Sequence, residues 1–240
     1  QCHQARHDAP EQVPAGDEHF GPHYSVQGDA VYGTTGNEAV SDIEFASTGH
    51  GLVDDACAAC HVYMTEYDPV TEFANVGHTF EPRTEACSDC HGSNITDSFE
   101  DINAKKDLDG DGTIEAVQVE VDGLIQLLAE TLVEFDNANY DSKYLADADP
   151  TSPDFLTTVM DSINNTYTDS TEAGAVEIRR GGFNLYYAVE DGSRGIHNPA
   201  YIVQLLQQSI LYYDDTALPA DAVFRGNRVT TLQIASTSVQ

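Results

Sequence analysis

The five cysteines of this 240-residue chain are the residues whose types and spacing could do chemistry. Four of them form two copies of one pattern, CAACH at 57–61 and CSDCH at 87–91. In C-x-x-C-H, two thiols can add to the two vinyl groups of one porphyrin while the adjacent histidine reaches its iron. The pattern therefore predicts two covalently bound c-type haems. The thiols are those of Cys57, Cys60, Cys87 and Cys90, and the iron ligands are His61 and His91.

Other roles for paired cysteines fit this pattern less well. Two C-x-x-C pairs could share one zinc ion, but zinc-ribbon spacing requires no histidine after each pair. A thioredoxin-like C-x-x-C would be single and set in a βαβ pattern. A disulfide between cysteines three residues apart is uncommon. Because a histidine follows both pairs, haem attachment is the preferred interpretation.

The fifth cysteine, Cys2, is followed by His3. This dipeptide matches the last two residues of a third C-x-x-C-H, so we expect Cys2 to form a thioether to a third haem and His3 to ligate its iron. The first cysteine of that motif would then precede the given sequence, and more haems could precede it. The alternative is that Cys2 is free or paired with a cysteine of another chain.

Composition limits the class of protein and its partners. Hydrophobic residues make up 40% of the chain, which is enough for a core, although tryptophan is absent. The chain has 41 acidic and 10 basic side chains, a formal net charge of −31. Such a surface repels nucleic acid and anionic membranes, and it fits a protein kept soluble outside the cell or adapted to high salt. The alternative is a generally solvated acidic surface without a specific partner.

Targeting signals are not visible in the sequence. It contains no apolar run long enough to span a membrane, and no signal peptide. Covalent haem attachment takes place outside the cytoplasm in prokaryotes. We therefore expect an exported protein, extracellular or periplasmic, whose precursor carries an export signal.

The elements that position these residues are predicted to be mainly α-helical, with extensive loops packed around the c-type haems. We expect a haem-binding region at 1–110, made of loops over 1–50 and short helices around each motif. A helical region at 111–215 would supply a distal haem ligand, and an extended tail would follow at 216–240. Alternating β-branched residues in the tail predict one or two short strands. All three regions are expected to form one compact unit.

Apolar residues at helical spacing predict four helices. The longest covers 114–135, and the next covers 154–165. The third, at 172–192, contains a Gly-Gly pair, which predicts either an interruption or close packing. The fourth covers 198–215, with a proline that is acceptable in its first turn.

The histidines outside the motifs lie in segments that carry a family resemblance. The segments are GPHYSVQGDAVYGTTG, the GH at 49–50 before CAACH, the GHTF before CSDCH, and EDGSRGIHNPAYIVQLLQQSI. In type and order they are similar to segments of multihaem cytochromes c. The resemblance is to the branch that includes ammonia-forming nitrite reductases, octahaem reductases and related electron-transfer cytochromes. It covers roughly residues 20–210.

The resemblance implies that these segments supply distal ligands for bis-histidine iron, a coordination that suits electron transfer. In the family, the histidine of the HNP segment is a distal ligand at the start of a long helix, and the resemblance gives this role to His197. It gives the same role to His23 and His78, and by a less exact match to His50. For each, the alternative is a histidine that only forms local hydrogen bonds. The sequence leaves open which distal histidine serves which haem.

Two functions of different class are compatible with these features. The first is electron transfer along closely spaced bis-histidine haems, with other redox proteins or copies of the same chain as partners, the latter as a homo-oligomer or extracellular filament. The second is a fragment of a multihaem reductase of nitrite, hydroxylamine or a sulfur oxyanion, which requires an open iron position. The chain has no C-x-x-C-K motif and no cluster of basic residues near the haem motifs. The sequence therefore favours an electron carrier over an enzyme and assigns no catalytic residue.

An acidic stretch, DLDGDGTIE at 107–115, matches the opening of a D-x-D-x-D-G calcium loop. Its ligands would be Asp107, Asp109 and Asp111. Position twelve holds Gln118 in place of the bidentate glutamate of a full EF-hand. The alternative is an acidic turn that caps the following helix, and the sequence leaves both interpretations open.

Overall fold

The computed structural model describes residues 3–70, 72 and 74–226, and this part of the chain is mainly helical, as predicted. The α-helices are α1 (Ala9–Ala15), α2 (Gln27–Tyr32), α3 (Cys57–His61), α4 (Thr84–His91), α5 (Val117–Tyr140), α6 (Phe155–Asn165), α7 (Ala173–Asp191) and α8 (Pro199–Tyr213). Short 3₁₀ turns lie at Glu38–Val40, Gly49–Leu52, Gly92–Asn94, Phe99–Asp101 and Thr166–Asp169. An isolated antiparallel bridge joins Asn103 to Ala116.

The four helices predicted from apolar periodicity are all present. α5 begins at Val117 rather than at position 114, and it ends at Tyr140 rather than at 135. α6 and α8 lie inside the predicted ranges, and Pro199 occupies the first turn of α8. The periodicity predicted these helices because their apolar stripes face one core.

The Gly181-Gly182 pair lies within α7, which continues through it without a break. A Cβ atom at Gly181 would lie 2.6 Å from the ring of Tyr213 on α8. A Cβ atom at Gly182 would lie 2.8 Å from Ile163 on α6. The two glycines therefore allow neighbouring helices to approach α7 closely, so close packing is confirmed and an interruption is wrong.

The core lies where α5, α7 and α8 pack against one another. Loop residues of the N-terminal region contribute to the same cluster, including Phe20, Val26 and Phe45. The helices contribute fully buried side chains, among them Val121, Leu124, Leu128, Leu132, Phe183, Leu205, Leu206 and Ile210. The helical region and the N-terminal loops therefore share one core. No helix in the described ranges is both long and apolar enough to cross a membrane.

The N-terminal region contains two short helices, α1 and α2, that the sequence did not predict. Asp8 caps α1, since its side chain accepts a hydrogen bond of 3.0 Å from the backbone N–H of Glu11. Such a cap marks a helix start, but a helix of 7 residues is too short to be stable alone. α1 packs against α7, and this tertiary contact accounts for the helix.

The tail turns back onto the helices after α8. Leu218 and Ala222 are buried, and the side-chain amide of Gln207 donates to the carbonyl of Ala222 at 3.1 Å. The described part of the tail, 216–226, forms turns and bends. Residues 227–240 lie outside the described residues, so strand formation there stays a prediction.

A buried arginine joins α7 to the N-terminal region. The fully buried side chain of Arg179 donates hydrogen bonds to the carbonyls of Val13 (2.9 Å) and Pro14 (3.3 Å) in α1. It also donates to the carbonyls of Thr166 (3.1 Å) and Ser170 (2.8 Å), which follow α6. Carbonyls at helix ends lack partners within their own helix, and the five donors of one guanidinium can satisfy several of them.

Replacing Arg179 with methionine should therefore lower the free energy of unfolding by about 3 kcal/mol, because buried carbonyls lose their donor. Urea denaturation of the purified protein measures this loss. The matched control is Arg180→Met, which removes a half-buried ion pair with Glu177 from the same helix and should lower the free energy by less than about 1 kcal/mol. Equal losses in the two variants would contradict the role assigned to Arg179.

Candidate haem-binding site

The two C-x-x-C-H motifs lie on two short helices that contact each other. α3 consists of CAACH alone, and α4 ends with CSDCH. The four thiols form no disulfide; Cys57, Cys60 and Cys90 are exposed and Cys87 is half-buried. Residues three apart on a helix lie on one face. Each pair of thiols can therefore reach one edge of a flat ring from the protein surface.

The structure does not assemble these thiols into a zinc site. Among the described residues, one group of three potential ligands has its ligand atoms within 4.8 Å of one another, and it contains no cysteine or histidine. A structural zinc site needs four converging ligand atoms, so this geometry disfavours the zinc alternative.

His61 of the first motif lies near His197, which precedes α8. Their ring centroids are 6.2 Å apart. Two imidazoles bound at about 2 Å on opposite sides of one metal ion hold their centroids about 6 Å apart, because each centroid lies about 1 Å beyond its ligating nitrogen. The separation therefore fits one proximal and one distal ligand of the same iron.

His91 of the second motif lies near His50 at a similar distance, with ring centroids 6.0 Å apart. The interplanar angle is 77° in this pair and 39° in the pair of His61 and His197. Rotation of an imidazole about its bond to the metal leaves the centroid separation unchanged, so both angles are compatible with axial ligation. Each motif histidine is thus paired with one histidine from a distant part of the chain.

Hydrogen bonds to backbone carbonyls orient two of these imidazoles. Nδ1 of His61 lies 2.9 Å from the carbonyl oxygen of Phe80, and Nδ1 of His50 lies 2.8 Å from that of Ile196. A carbonyl only accepts, so each Nδ1 carries the proton, and Nε2 keeps its electron pair. This tautomer is the one that a histidine needs to bind a metal through Nε2.

The other two imidazoles are held in different surroundings. Nδ1 of His197 lies 2.6 Å from a carboxylate oxygen of Asp191, whose side chain is fully buried. Burial lowers the pKa of His91, and the neighbouring His50 lowers it further. Both effects favour the neutral imidazole, which is the form that coordinates a metal.

Asn198 connects the segments that carry His50 and His197. Its side-chain oxygen accepts hydrogen bonds from the backbone N–H groups of Thr48 (2.9 Å) and Tyr201 (3.3 Å). Its side-chain nitrogen donates to the hydroxyl of Ser47 at 2.9 Å. The same asparagine therefore caps α8 and holds the chain that leads to His50.

His23 is paired with His7, and neither residue follows a cysteine. Their ring centroids are 6.3 Å apart. Nδ1 of His23 lies 2.9 Å from the backbone N–H of Tyr24, which only donates, so this Nδ1 accepts. The pair therefore has the separation of the two motif pairs but the opposite hydrogen bonding at His23, and the ligand role of His23 stays a prediction.

The remaining predicted ligands do not meet another imidazole in the described ranges. His78 is exposed between α3 and α4. His3 is exposed as well, with Nδ1 3.3 Å from the side-chain oxygen of Gln27. Cys2 lies outside the described residues. The third haem site at Cys2 and His3, like the ligand role of His78, therefore stays a prediction.

The acidic loop brings together a different set of carboxylates from the predicted one. Oxygen atoms of Asp107, Asp109 and Glu120 lie within 4.8 Å of one another, whereas Asp111 is exposed and outside this group. Glu120 on α5 is fully buried and accepts a hydrogen bond of 2.6 Å from the backbone N–H of Leu108. Sequence reasoning missed Glu120 because it lies beyond the loop motif. An acidic residue on the apolar face of α5 was the available signal.

Charge repulsion accompanies this arrangement. Burial, together with the neighbouring carboxylates of Asp111 and Glu120, raises the pKa of Asp109 to about 6. A divalent cation shared by Asp107, Asp109 and Glu120 would offset the repulsion. Calcium at this loop therefore stays a prediction, with Glu120 added to its ligands.

Comparison with known proteins provides no relative from which a role could be transferred. No family model, no curated protein and no solved structure matches this chain. The interpretation of the site therefore rests on its own residues and their geometry.

Replacing Asn198 with alanine should lower the free energy of unfolding by about 3 kcal/mol, because a helix cap and two buried hydrogen bonds are lost together. Chemical denaturation measures the loss. Asn198→Asp keeps the acceptor for Thr48 and Tyr201 and should retain more stability. If both variants lose the same free energy of unfolding, the side-chain oxygen of Asn198 does not account for the stabilisation.

Calcium should raise the melting temperature of the protein, by the equivalent of about 3 kcal/mol at a hundredfold excess over its dissociation constant. Replacing Asp107 and Asp109 together with asparagine should remove this rise, while Asp111→Asn should keep it. The measurement is thermal unfolding in calcium, in chelator, and in sodium chloride of matched ionic strength. Equal stabilisation by sodium chloride would indicate charge screening alone and contradict a calcium site.

Proposed function

We propose that this chain is a multihaem c-type cytochrome that transfers electrons along closely spaced haems with bis-histidine ligation. One observation carries the proposal: each motif histidine lies near one distant histidine at a ring-centroid separation that fits two ligands of one metal ion, 6.2 Å in one pair and 6.0 Å in the other. In this proposal His61 and His197 bind one iron, and His91 and His50 bind the other. Each bound haem supplies reversible one-electron transfer.

The thiols support covalent attachment at both sites. Cys57 and Cys60 would anchor one porphyrin, and Cys87 and Cys90 the other. All four are unpaired, and three are exposed, so porphyrins can reach them from the surface.

Exposed apolar side chains support the expectation that loops pack around the haems. Among the described residues, seven of the thirteen exposed large hydrophobic side chains lie between positions 52 and 80, on both sides of the first motif. The most exposed is Val70, at 88%. Apolar surface concentrated in this way is typical of a ligand or interaction site. In the proposal, part of it packs against the porphyrin faces.

The closeness of the two sites supports electron transfer between them. α3 and α4 contact each other. On the distal side, the carbonyl of Ile196 accepts the hydrogen bond of His50, and the next residue is His197. One short segment therefore holds the distal ligands of both proposed irons.

The pairing favours an electron carrier over a reductase, because a reductase needs an iron with an open position and each of these two sites provides two imidazoles.

The proposal includes export from the cytoplasm, a third haem at Cys2 and His3, and calcium at the acidic loop. Other redox proteins or copies of this chain, including copies in a filament, are the proposed partners.

Expression together with a haem-attachment system should yield a protein that keeps its haem in denaturing electrophoresis, visible by peroxidase staining. Mass spectrometry should find haem on the peptides of both motifs and on the peptide of Cys2. A colourless band would reject the cytochrome, and an unmodified Cys2 would reject the third haem alone.

The electron paramagnetic resonance spectrum of the unaltered protein should contain low-spin ferric signals, because two histidines would bind each iron. A high-spin signal in this spectrum would favour the reductase instead.

His197→Ala should convert one low-spin haem to high spin, because one axial ligand is removed. The matched control is His19→Ala, which removes an exposed imidazole outside both pairs and should leave the spectrum unchanged. An unchanged spectrum in His197→Ala would contradict the pairing of His197 with His61.

A further inference from the structure

The two proposed iron sites differ in the group that accepts a hydrogen bond from the distal histidine. His50 donates its Nδ1 hydrogen to the neutral carbonyl of Ile196 at 2.8 Å. His197 donates its Nδ1 hydrogen to the carboxylate of Asp191 at the shorter distance of 2.6 Å. The motif histidine paired with His197 is also bonded to a neutral carbonyl. Of the two distal histidines, only His197 therefore donates to a charged acceptor.

Asp191 is the last residue of α7, and its side chain is fully buried. The hydroxyl of Ser193 donates to one carboxylate oxygen, and His197 donates to the other. The backbone N–H of His197 in turn donates to Ser193 at 3.2 Å, so these three residues form a closed hydrogen-bonded unit.

The effect of such a carboxylate on a metal ligand has a definite sign. By accepting the Nδ1 hydrogen, it increases the basicity of the imidazole and fixes the orientation of the ring. A more basic ligand and a nearby buried negative charge both stabilise the more positive oxidation state of the metal. For an iron bound to Nε2 of His197, the reduction potential should therefore fall.

We propose that Asp191 is a positioning residue that fixes His197 and makes the iron between His61 and His197 the lower-potential member of the pair. The inference rests on the proposed function. Between bound haems, spontaneous transfer would then run in one direction: the site of His61 and His197 would lose one electron and the site of His50 and His91 would gain it. No proton moves, because the Nδ1 hydrogen stays on His197.

The test is a spectroscopic redox titration of the haem-loaded protein and its Asp191→Asn variant. The amide accepts a weaker hydrogen bond and carries no charge. It should favour reduction of one haem by about tenfold, a rise of about 59 mV for a one-electron couple. The other haem should keep its potential. The paramagnetic resonance signal that is lost in His197→Ala identifies the affected haem, and that signal should also shift in Asp191→Asn.

Two further variants separate this role from general effects of charge and folding. Asp191→Glu should restore much of the original potential, because it restores a charged acceptor. Asp89→Asn removes an equal charge from an exposed position between Cys87 and Cys90, and it should leave the haem of His197 nearly unchanged. A shift of that haem as large as the Asp191→Asn shift would mean that any nearby charge has the same effect, which would overturn the proposal.

Ser193→Ala tests the direction in which the hydrogen bond to Asp191 shifts the reduction potential. It also replaces Asp191→Asn as the test if that variant does not fold. Without the serine hydroxyl, the carboxylate becomes a stronger acceptor for His197, so the potential should shift downwards. Unchanged potentials in folded Asp191→Asn and Ser193→Ala would reject the proposal while leaving the cytochrome assignment intact. Absence of covalent haem in the unaltered protein would instead reject the proposed function itself.

Discussion

Backbone N–H and C=O groups of an irregular chain must find hydrogen-bond partners before that chain can pack against a core. In this protein, buried amide side chains of the long helices and their caps supply many of these partners. Asn184 on α7 accepts from the backbone of Asn37 at 2.7 Å, Gln204 on α8 accepts from that of Ala46, and Asn198 accepts from that of Thr48. The helices therefore act as a template for the N-terminal loops, and the position of His50 depends on that template.

The same arrangement accounts for the position of the candidate site at the margin of the helical core. α7 ends at Asp191 and α8 begins at Pro199, so the connection between two rigid helices carries His197. A ligand held between two packed helix ends is more precisely placed than one in a free loop. The thiols lie instead on α3 and α4, short helices without a buried residue. In the proposed cytochrome, haem would join these weakly packed helices to the core.

The sequence predicted the long helices, and a short helix at each C-x-x-C-H motif, correctly because both depend on local pattern. An apolar stripe with a period near 3.6 and a C-x-x-C-H motif can each be read within a few residues. Features that depend on contacts distant in sequence were missed. α1 depends on packing against α7, Glu120 joins the acidic group from the following helix, and Gly181 needed Tyr213 on α8 to decide between an interruption and close packing.

By itself, the sequence determined which residue types are available: paired thiols followed by histidine, a surplus of further histidines, and an excess of acidic groups. Only the tertiary structure decided which imidazoles lie near each other, since His61 and His197 are brought together across 135 intervening residues and His50 and His91 across 40. It also decided that His197, unlike His50, is bonded to a buried carboxylate. The physical reason is that a motif encodes local chemistry, whereas pairing and electrostatic surroundings arise when helix packing and buried hydrogen bonds join distant segments.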